Sequence, residues 1–281
     1  MPGPPLCDDQ QYEALLAAVR AEDLPITVDL DAAVYRVGWE GVVLDTADGW
    51  IIRFPRGTRE EYRRELAVLD RLNGRLPVPT PVVVATGSRR DFAVYRRLDG
   101  ATLDPERYAA AGRAEQDHVA ASLARFLAAM HHALSAEEIA ELGIPRWGSG
   151  GERREPPADW SEPLRRRWDG LQREFAARRA AGAHRAVLLH DDFHPGNFVL
   201  DRPLGRLGGV WDFSCVSVGD PSLEFRYLVG DSMMLAQQVA SFYAARTGFE
   251  IDLGLAALAL QIEDVCDAIE EGRDPVPALM R

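Results

Sequence analysis

HDDFHPGN, at residues 190–197, and WDF, at residues 211–213, decide how this chain is read. Together they give H-x-D-x-x-x-x-N followed by an Asp-Phe. Phosphoryl transfer from a nucleotide needs one carboxylate to align the acceptor hydroxyl, and an amide plus a second carboxylate for a hard metal ion. Asp192, Asn197 and Asp212 are those groups in that order. The apolar runs VLL (187–189), FVL (198–200) and GVW (209–211) read as short strands framing the polar residues. Singly, each polar residue is as well explained as a loop cap; the order and spacing point to chemistry. His190 is expected to pack inward and bond backbone. A zinc site built from His190, Asp191, Asp192 and His194 is disfavoured, because Pro195-Gly196 prevents a helical His pair.

Working outward, residues 28–37, 42–44 and 50–54 are strand-like, with Asp48-Gly49 as a hairpin turn. Residues 58–72 carry Tyr62, Leu66, Leu69 and Leu72 at helical spacing. Residues 82–84 and 92–95 complete five strand candidates. Asp8 or Asp9 can cap a first helix containing Leu15, Leu16 and Val19. Beyond Leu98-Asp99-Gly100 helical patterns dominate, at about 113–133, 160–180, 231–246 and 253–271. The expected fold class is therefore α+β and bilobal. Residues 1–97 form a small antiparallel sheet lobe with one paired helix that binds nucleotide. Residues 98–281 form a larger, mainly helical lobe for catalysis and substrate, and the hinge lies at about 95–100.

Arg53 is the one cation in its strand, and Ile52 and Phe54 point to the other face. It can reach the α- and β-phosphates, with Glu65 on the next helix as its partner. Gly38-Trp39-Glu40-Gly41 can close over phosphates with backbone amides or be a plain hairpin; Gly38 and Gly41 are the candidates. There is no G-x-x-x-x-G-K-[ST] and no G-x-S-x-G, which argues against a P-loop enzyme and a serine hydrolase.

The chain has 281 residues, 47% hydrophobic and 27% charged, with a formal net charge of -12. That field repels nucleic acid and anionic membrane surfaces and attracts cationic ligands. A nucleotide site must therefore supply its own cations and metal. The start, MPGPPLCDDQ, offers no basic stretch leading into an apolar run, so no signal peptide is expected. The longest late apolar run, 253–260, is too short to span a membrane. Cys7, Cys215 and Cys266 form no disulfide framework, and a reducing cytoplasm is expected. Late in the chain gather Glu224, Asp231, Glu263, Asp264, Asp267, Glu270 and Glu271. Asp264, Asp267 and Glu271 share one helical face. It is either a solvated face or a contact for amino groups of a cationic acceptor. Asp191, Asp192, Asp231, Glu263, Asp264 and Asp267 are the candidate acceptor contacts.

These motifs resemble the aminoglycoside phosphotransferase family, which has a protein-kinase-like fold. WIIRFPR, RRELAVLDRL, LPVPTPVVVATG, FAVYRRLDGATL, VLLHDDFHPGNFVL and GGVWDFSCVSVGDPSLEFRYL carry the likeness over roughly residues 34–271. The resemblance implies Asp192 as the catalytic Asp, Asn197 and Asp212 as Mg²⁺ ligands, and Arg53 and Glu65 as the phosphate-binding pair. At the hinge entry Tyr95, Arg96 and Arg97 are further nucleotide-binding candidates. Three positions depart from the family pattern. Asp191 stands where Gly is common, Arg53 where many members have Lys, and Glu224 where Asp is usual; each keeps a functional group.

The activity implied is transfer of the γ-phosphate of ATP or GTP, with Mg²⁺, to a hydroxyl of a cationic antibiotic. An aminoglycoside is favoured. The tuberactinomycins capreomycin and viomycin, macrolides, and metabolic acceptors such as choline, homoserine or a sugar share the loop. A nucleotide-binding regulator without turnover is the alternative of another class. A protein kinase is disfavoured, since no A-P-E segment follows Asp212-Phe213.

Overall fold

The computed structural model describes residues 9–38, 41–148, 155–182 and 186–281. Helix α1 (Asp9–Arg20) lies on a sheet of β1 (Val34–Val37), β2 (Gly41–Asp45), β3 (Trp50–Pro55), β4 (Ala85–Thr86) and β5 (Ala93–Arg96). The strand order is β1-β2-β3-β5-β4, and every pairing is antiparallel. Alternation along β3 sends Ile52 and Phe54 to one face, where they join Leu15, Leu16, Leu44 and Val94 in a buried cluster. Arg53 faces the other side, toward α2 (Arg59–Leu72).

Two expected strands are shorter than the sequence suggests. Residues 28–33 form no strand, because Asp29 takes the Asp31 N–H onto its side chain at 3.1 Å and donates its own N–H to Asp48 at 3.1 Å. Such local side-chain bonds compete with a sheet ladder. In the 82–84 run only Val84 reaches the sheet, donating to Val94 O at 2.8 Å. Pro77, Pro79 and Pro81 supply no donors before it.

Helix α2 starts in a capping box between Thr58 and Glu61. Its Tyr62 and Leu66 pack beside Ala93 and Tyr95 of the sheet. One turn on, Val68, Leu69 and Leu72 belong to the large core of the C-terminal part. Arg71 and Arg75 then reach Glu138 at 3.1 and 2.8 Å. Residue Glu138 lies on α5 (Ala136–Glu141).

That large core is built mainly from α4 (Arg113–Met130) and α8 (Met233–Thr247), preceded by α3 (Pro105–Ala110). A second layer packs α6 (Glu162–Ala181) and α9 (Leu253–Glu270) around Trp168 and Val265, with α10 (Val276–Leu279) closing its end. Two short hairpin-like ladders lie between: β6 (Val187–Leu189) with β9 (Ser217–Gly219), and β7 (Phe198–Leu200) with β8 (Leu207–Val210). A 3-10 turn, Pro221–Phe225, leads into α7 (Arg226–Asp231). The four long helices fall where the hydrophobic period puts them. The short helices α3, α5, α7 and α10 are too brief to show a period. The segment entering the helical part is stitched to β7, with Ala101 and Leu200 exchanging two bonds of 2.8 Å. A Cβ on Gly100 would lie 2.4 Å from Leu200 O, so only glycine permits that approach.

Candidate active site

Strand β6 delivers the chain to the loop 190–197 and β7 takes it away. Phe193 anchors the loop from below, its ring 5.4 Å from Phe126 and 5.1 Å from Phe198. The loop backbone is held by Glu224, which is fully buried. Its two oxygens accept the N–H groups of His190 at 2.7 Å and Asp191 at 3.0 Å. Burial alone would push Glu224 up. His131, His190 and the backbone donors outweigh it, and the carboxyl is held below its usual range.

Asp191 adopts φ of 66°, the left-handed region natural to glycine. Arg226 holds it there, with Nη1 2.7 Å from Oδ1 and Nη2 donating to its carbonyl at 2.5 Å. The same guanidinium meets Glu263 at 2.7 Å through Nε, and Tyr227 donates to the other Glu263 oxygen at 2.7 Å. Asp191 and Glu263, expected as acceptor contacts, thus neutralise a buried arginine under the loop. Burial raises Asp191 to about 6 against the pull of Arg226.

Asp192 is gripped from two sides. Asn197 Nδ2 donates to its Oδ2 at 2.6 Å and to its carbonyl at 3.0 Å. His194 Nε2 stands 3.6 Å from Oδ1. The Gly196 N–H donates to His194 Nδ1 at 3.0 Å, which assigns the neutral tautomer its proton on Nε2, facing Asp192. Burial opposes charge on both groups. His194, His190 and Asn197 nevertheless hold Asp192 below the usual carboxylate range, and Asp192 chiefly raises His194.

Asn197 and Asp212 come together through the β7–β8 ladder. Phe198 pairs with Val210, and the Trp211 N–H donates to Asn197 O at 3.0 Å. His190, fully buried, bonds Trp211 O through Nε2 at 2.9 Å. Asp212 has φ of 61°. Its Oδ1 accepts from Arg53 Nη2 at 3.0 Å and from Ser214 Oγ at 2.7 Å. Arg53 Nη1 binds Glu65 at 2.5 Å, and both residues are buried. Burial disfavours the Arg53 charge, but Glu65 and Asp212 outweigh it and raise its pKa.

The donor set fits a hard cation. The Asn197 amide nitrogen is committed to Asp192, which turns its oxygen into a ligand. Both bonds to Asp212 fall on Oδ1, which leaves Oδ2. An amide oxygen and a carboxylate oxygen from residues flanking the β7–β8 ladder suit Mg²⁺, which keeps several waters and phosphate oxygens as its other ligands.

The remaining candidates lie elsewhere. Tyr95 is buried beside Tyr62. Arg96 stacks 3.7 Å over Trp50 and donates to Asp48 O at 2.8 Å. Arg97 pairs with Asp45 at 2.7 Å and Asp99 at 3.0 Å. Arg96 and Arg97 thus brace the β2–β3 hairpin and, among the described residues, make no hydrogen bond or ion pair to the Asp192 cluster. Gly38 N–H bonds Gly41 O at 2.9 Å, and a Cβ on Gly41 would lie 2.5 Å from Phe54 O. Trp39 and Glu40 of that turn lie outside the described residues. On α9, Asp264 pairs with Arg281 at 2.7 Å. Asp267 is raised to about 6, first by desolvation and then by Glu263, Glu270, Asp264 and Glu271. Asp231 ends α7, within electrostatic reach of His194. Sequence reasoning missed His194 and Arg226. The first was visible as a second ionisable group two places after Asp192; nothing local marked the second.

Residues 24–268 match the family model described as the phosphotransferase enzyme family. No curated protein matches by sequence. Among solved structures, the GDP and kanamycin complex of APH(2")-IIia superposes with a TM-score of 0.80 at 19% identity, covering 95% of this chain and 97% of that one. The streptomycin-ATP-APH(2")-IIa ternary complex gives 0.66 at 18% identity, with 98% and 97% covered. The macrolide 2'-phosphotransferase MphH from Brachybacterium faecium gives 0.66 at 20% identity, with 96% of each covered. At these identities the likeness establishes the shared kinase-like fold.

Proposed function

The chain belongs to the phosphotransferase enzyme family, and we propose that it moves the γ-phosphoryl group of ATP or GTP to a hydroxyl of a cationic antibiotic, an aminoglycoside first. The observation that carries this reading is the bonded frame in which Asn197 touches both Asp192 and Trp211, while Asp212 meets the Arg53–Glu65 pair. In that frame Asp192 accepts the hydrogen bond of the acceptor hydroxyl and orients its oxygen on phosphorus. A loose transition state asks for little more than orientation and late acceptance of the proton. His194 keeps the Asp192 carboxylate ionised and fixed. Arg53 presents its cation to the phosphates, with Glu65 limiting its motion. Asn197 and Asp212 would hold Mg²⁺, which supplies charge neutralisation on the phosphate oxygens.

Two facts support a cationic acceptor. The net charge of -12 draws polycations, and Asp231 places a carboxyl group within electrostatic reach of His194 in the loop. The solved relatives hold kanamycin, gentamicin and streptomycin.

The test is consumption of ATP and of GTP by the purified protein with Mg²⁺ across an aminoglycoside panel, capreomycin, viomycin, a macrolide, choline and homoserine. Stimulation by aminoglycosides, lost in Asp192→Ala, is expected. Turnover confined to choline or homoserine would remove the antibiotic reading and keep the kinase. Near-normal turnover by Asp192→Ala would remove the mechanism.

A further inference from the structure

One recess of the molecule runs against its overall charge. A cavity of about 560 Å³ opens between the C-terminal ends of α4 and α8 and the turn that follows α2. Arg75, Arg125, His132 and Arg246 line it, over a floor that includes Ala129, and no carboxylate is among its lining residues. In a chain with 44 acidic and 32 basic residues, a recess bearing three guanidinium groups and an imidazole is a local reversal of sign.

The cations are differently committed. Arg75 is held by Glu138 at 2.8 Å and donates to Ala133 O at 3.1 Å. Arg125 and Arg246 are exposed and have no ion pair or hydrogen bond among the described residues. The negative end of the helix dipole accounts for Arg246, which lies in the last turn of α8. It does not account for Arg125, which precedes the last turn of α4. Two unpaired guanidinium groups facing one recess repel each other and are stabilised by an anion that both can grip. A guanidinium fork matches phosphate oxygens two at a time. The two open forks of Arg125 and Arg246, in a recess of about 560 Å³, suit several phosphates joined together.

We propose that this cavity binds a soluble oligophosphate or a small molecule carrying one, at a site separate from the loop 190–197 and from Arg53. The site does not depend on the identity of the phosphoryl acceptor.

Calorimetric titration of the whole protein in Mg²⁺-free buffer with inorganic tripolyphosphate tests it, with pyrophosphate and orthophosphate as shorter probes. Saturable binding at one site is expected, weakening as the chain shortens. Each guanidinium makes charge-assisted bonds, so Arg125→Ala should weaken tripolyphosphate roughly ten-fold or more, and Arg125→Ala with Arg246→Ala should abolish it. Both side chains are exposed, so thermal unfolding of the variants should match the parent, and phosphoryl transfer should be unchanged. Absence of saturable heat would overturn the proposal. Binding that survives the double variant would place the anion at the nucleotide site and overturn it equally.

Discussion

Replacing Arg53 by Met removes the one cation that stands between two carboxylates. In the structure Nη1 is 2.5 Å from Glu65 and Nη2 is 3.0 Å from Asp212. With charge centres about 4 Å apart and an effective dielectric near 20, each pair attracts by about 4 kcal/mol before desolvation is subtracted. Without the guanidinium, Glu65 loses its ion-pair partner at 6% exposure. Losing one partner of a buried pair destabilises by about 3–5 kcal/mol. Glu65→Leu should do less harm, about 1–3 kcal/mol, because Arg53 keeps Asp212. In the double variant the buried carboxylate is gone and Asp212 keeps Ser214 at 2.7 Å. Its loss should therefore sit near that of Glu65→Leu alone, a coupling as large as the Arg53→Met loss itself, about 3–5 kcal/mol. Urea unfolding of the four proteins, followed by fluorescence and circular dichroism, measures this. Nucleotide consumption should stay absent in the double variant, separating regained stability from regained chemistry. Additivity within about 0.5 kcal/mol would refute the reasoning.

Glu224→Gln puts an amide N–H₂ against one of two backbone donors, His190 or Asp191. A loss of about 1–3 kcal/mol is expected, read as a fall in the thermal midpoint of about 2–4 °C per kcal/mol; an unchanged midpoint would deny Glu224 its place under the loop. Asp267 has a folded pKa of about 6, above the unfolded value of about 3.9. Its ionisation therefore weakens the fold as pH rises through that window, and the weakening is complete above about 7. Asp267→Asn should stabilise by less than about 1 kcal/mol at pH 7.5, solvent screening included, and by nothing at pH 4; equal effects at both pH values would contradict the shift. Gly100→Ala forces a Cβ to 2.4 Å from Leu200 O and should lose about 1–3 kcal/mol in urea unfolding; wild-type stability would mean the crossing segment relaxes freely.

The loop 190–197 was legible in the sequence as a candidate site because its groups are close along the chain and each carries a type-specific demand. Asp192 and Asn197 are five residues apart, and the hairpin that brings Asp212 to them is short. Arg53 and Glu65 were readable because strand alternation and helical period fix their directions. The placement of Asp191 under the loop was not legible for a physical reason. Its side chain is steered by φ of 66° and by Arg226, 35 residues on, and neither leaves a local mark. The contacts of Arg96 and Arg97 were not legible because proximity to the hinge does not say which side a strand-end arginine takes. Trp50 and Asp45 decide that, across the sheet. The run at 82–84 looked like a strand because valines prefer one. The prolines before it supply no donors of their own, and the run joins the sheet only at Val84.

Helix α2 has a consequence for how this chain can be recombined with its relatives. Tyr62 and Leu66 face the sheet, while Val68, Leu69 and Leu72 face the helical core. The seam between the two parts thus runs through one helix and at no point lies between two residues. A crossover placed after β5 keeps Arg53 with Glu65 but fits foreign residues into the helical core at 68–72. A crossover placed before α2 keeps that core and parts Arg53 from Glu65. Functional chimeras should arise only where the donor's α2 matches both neighbours at once.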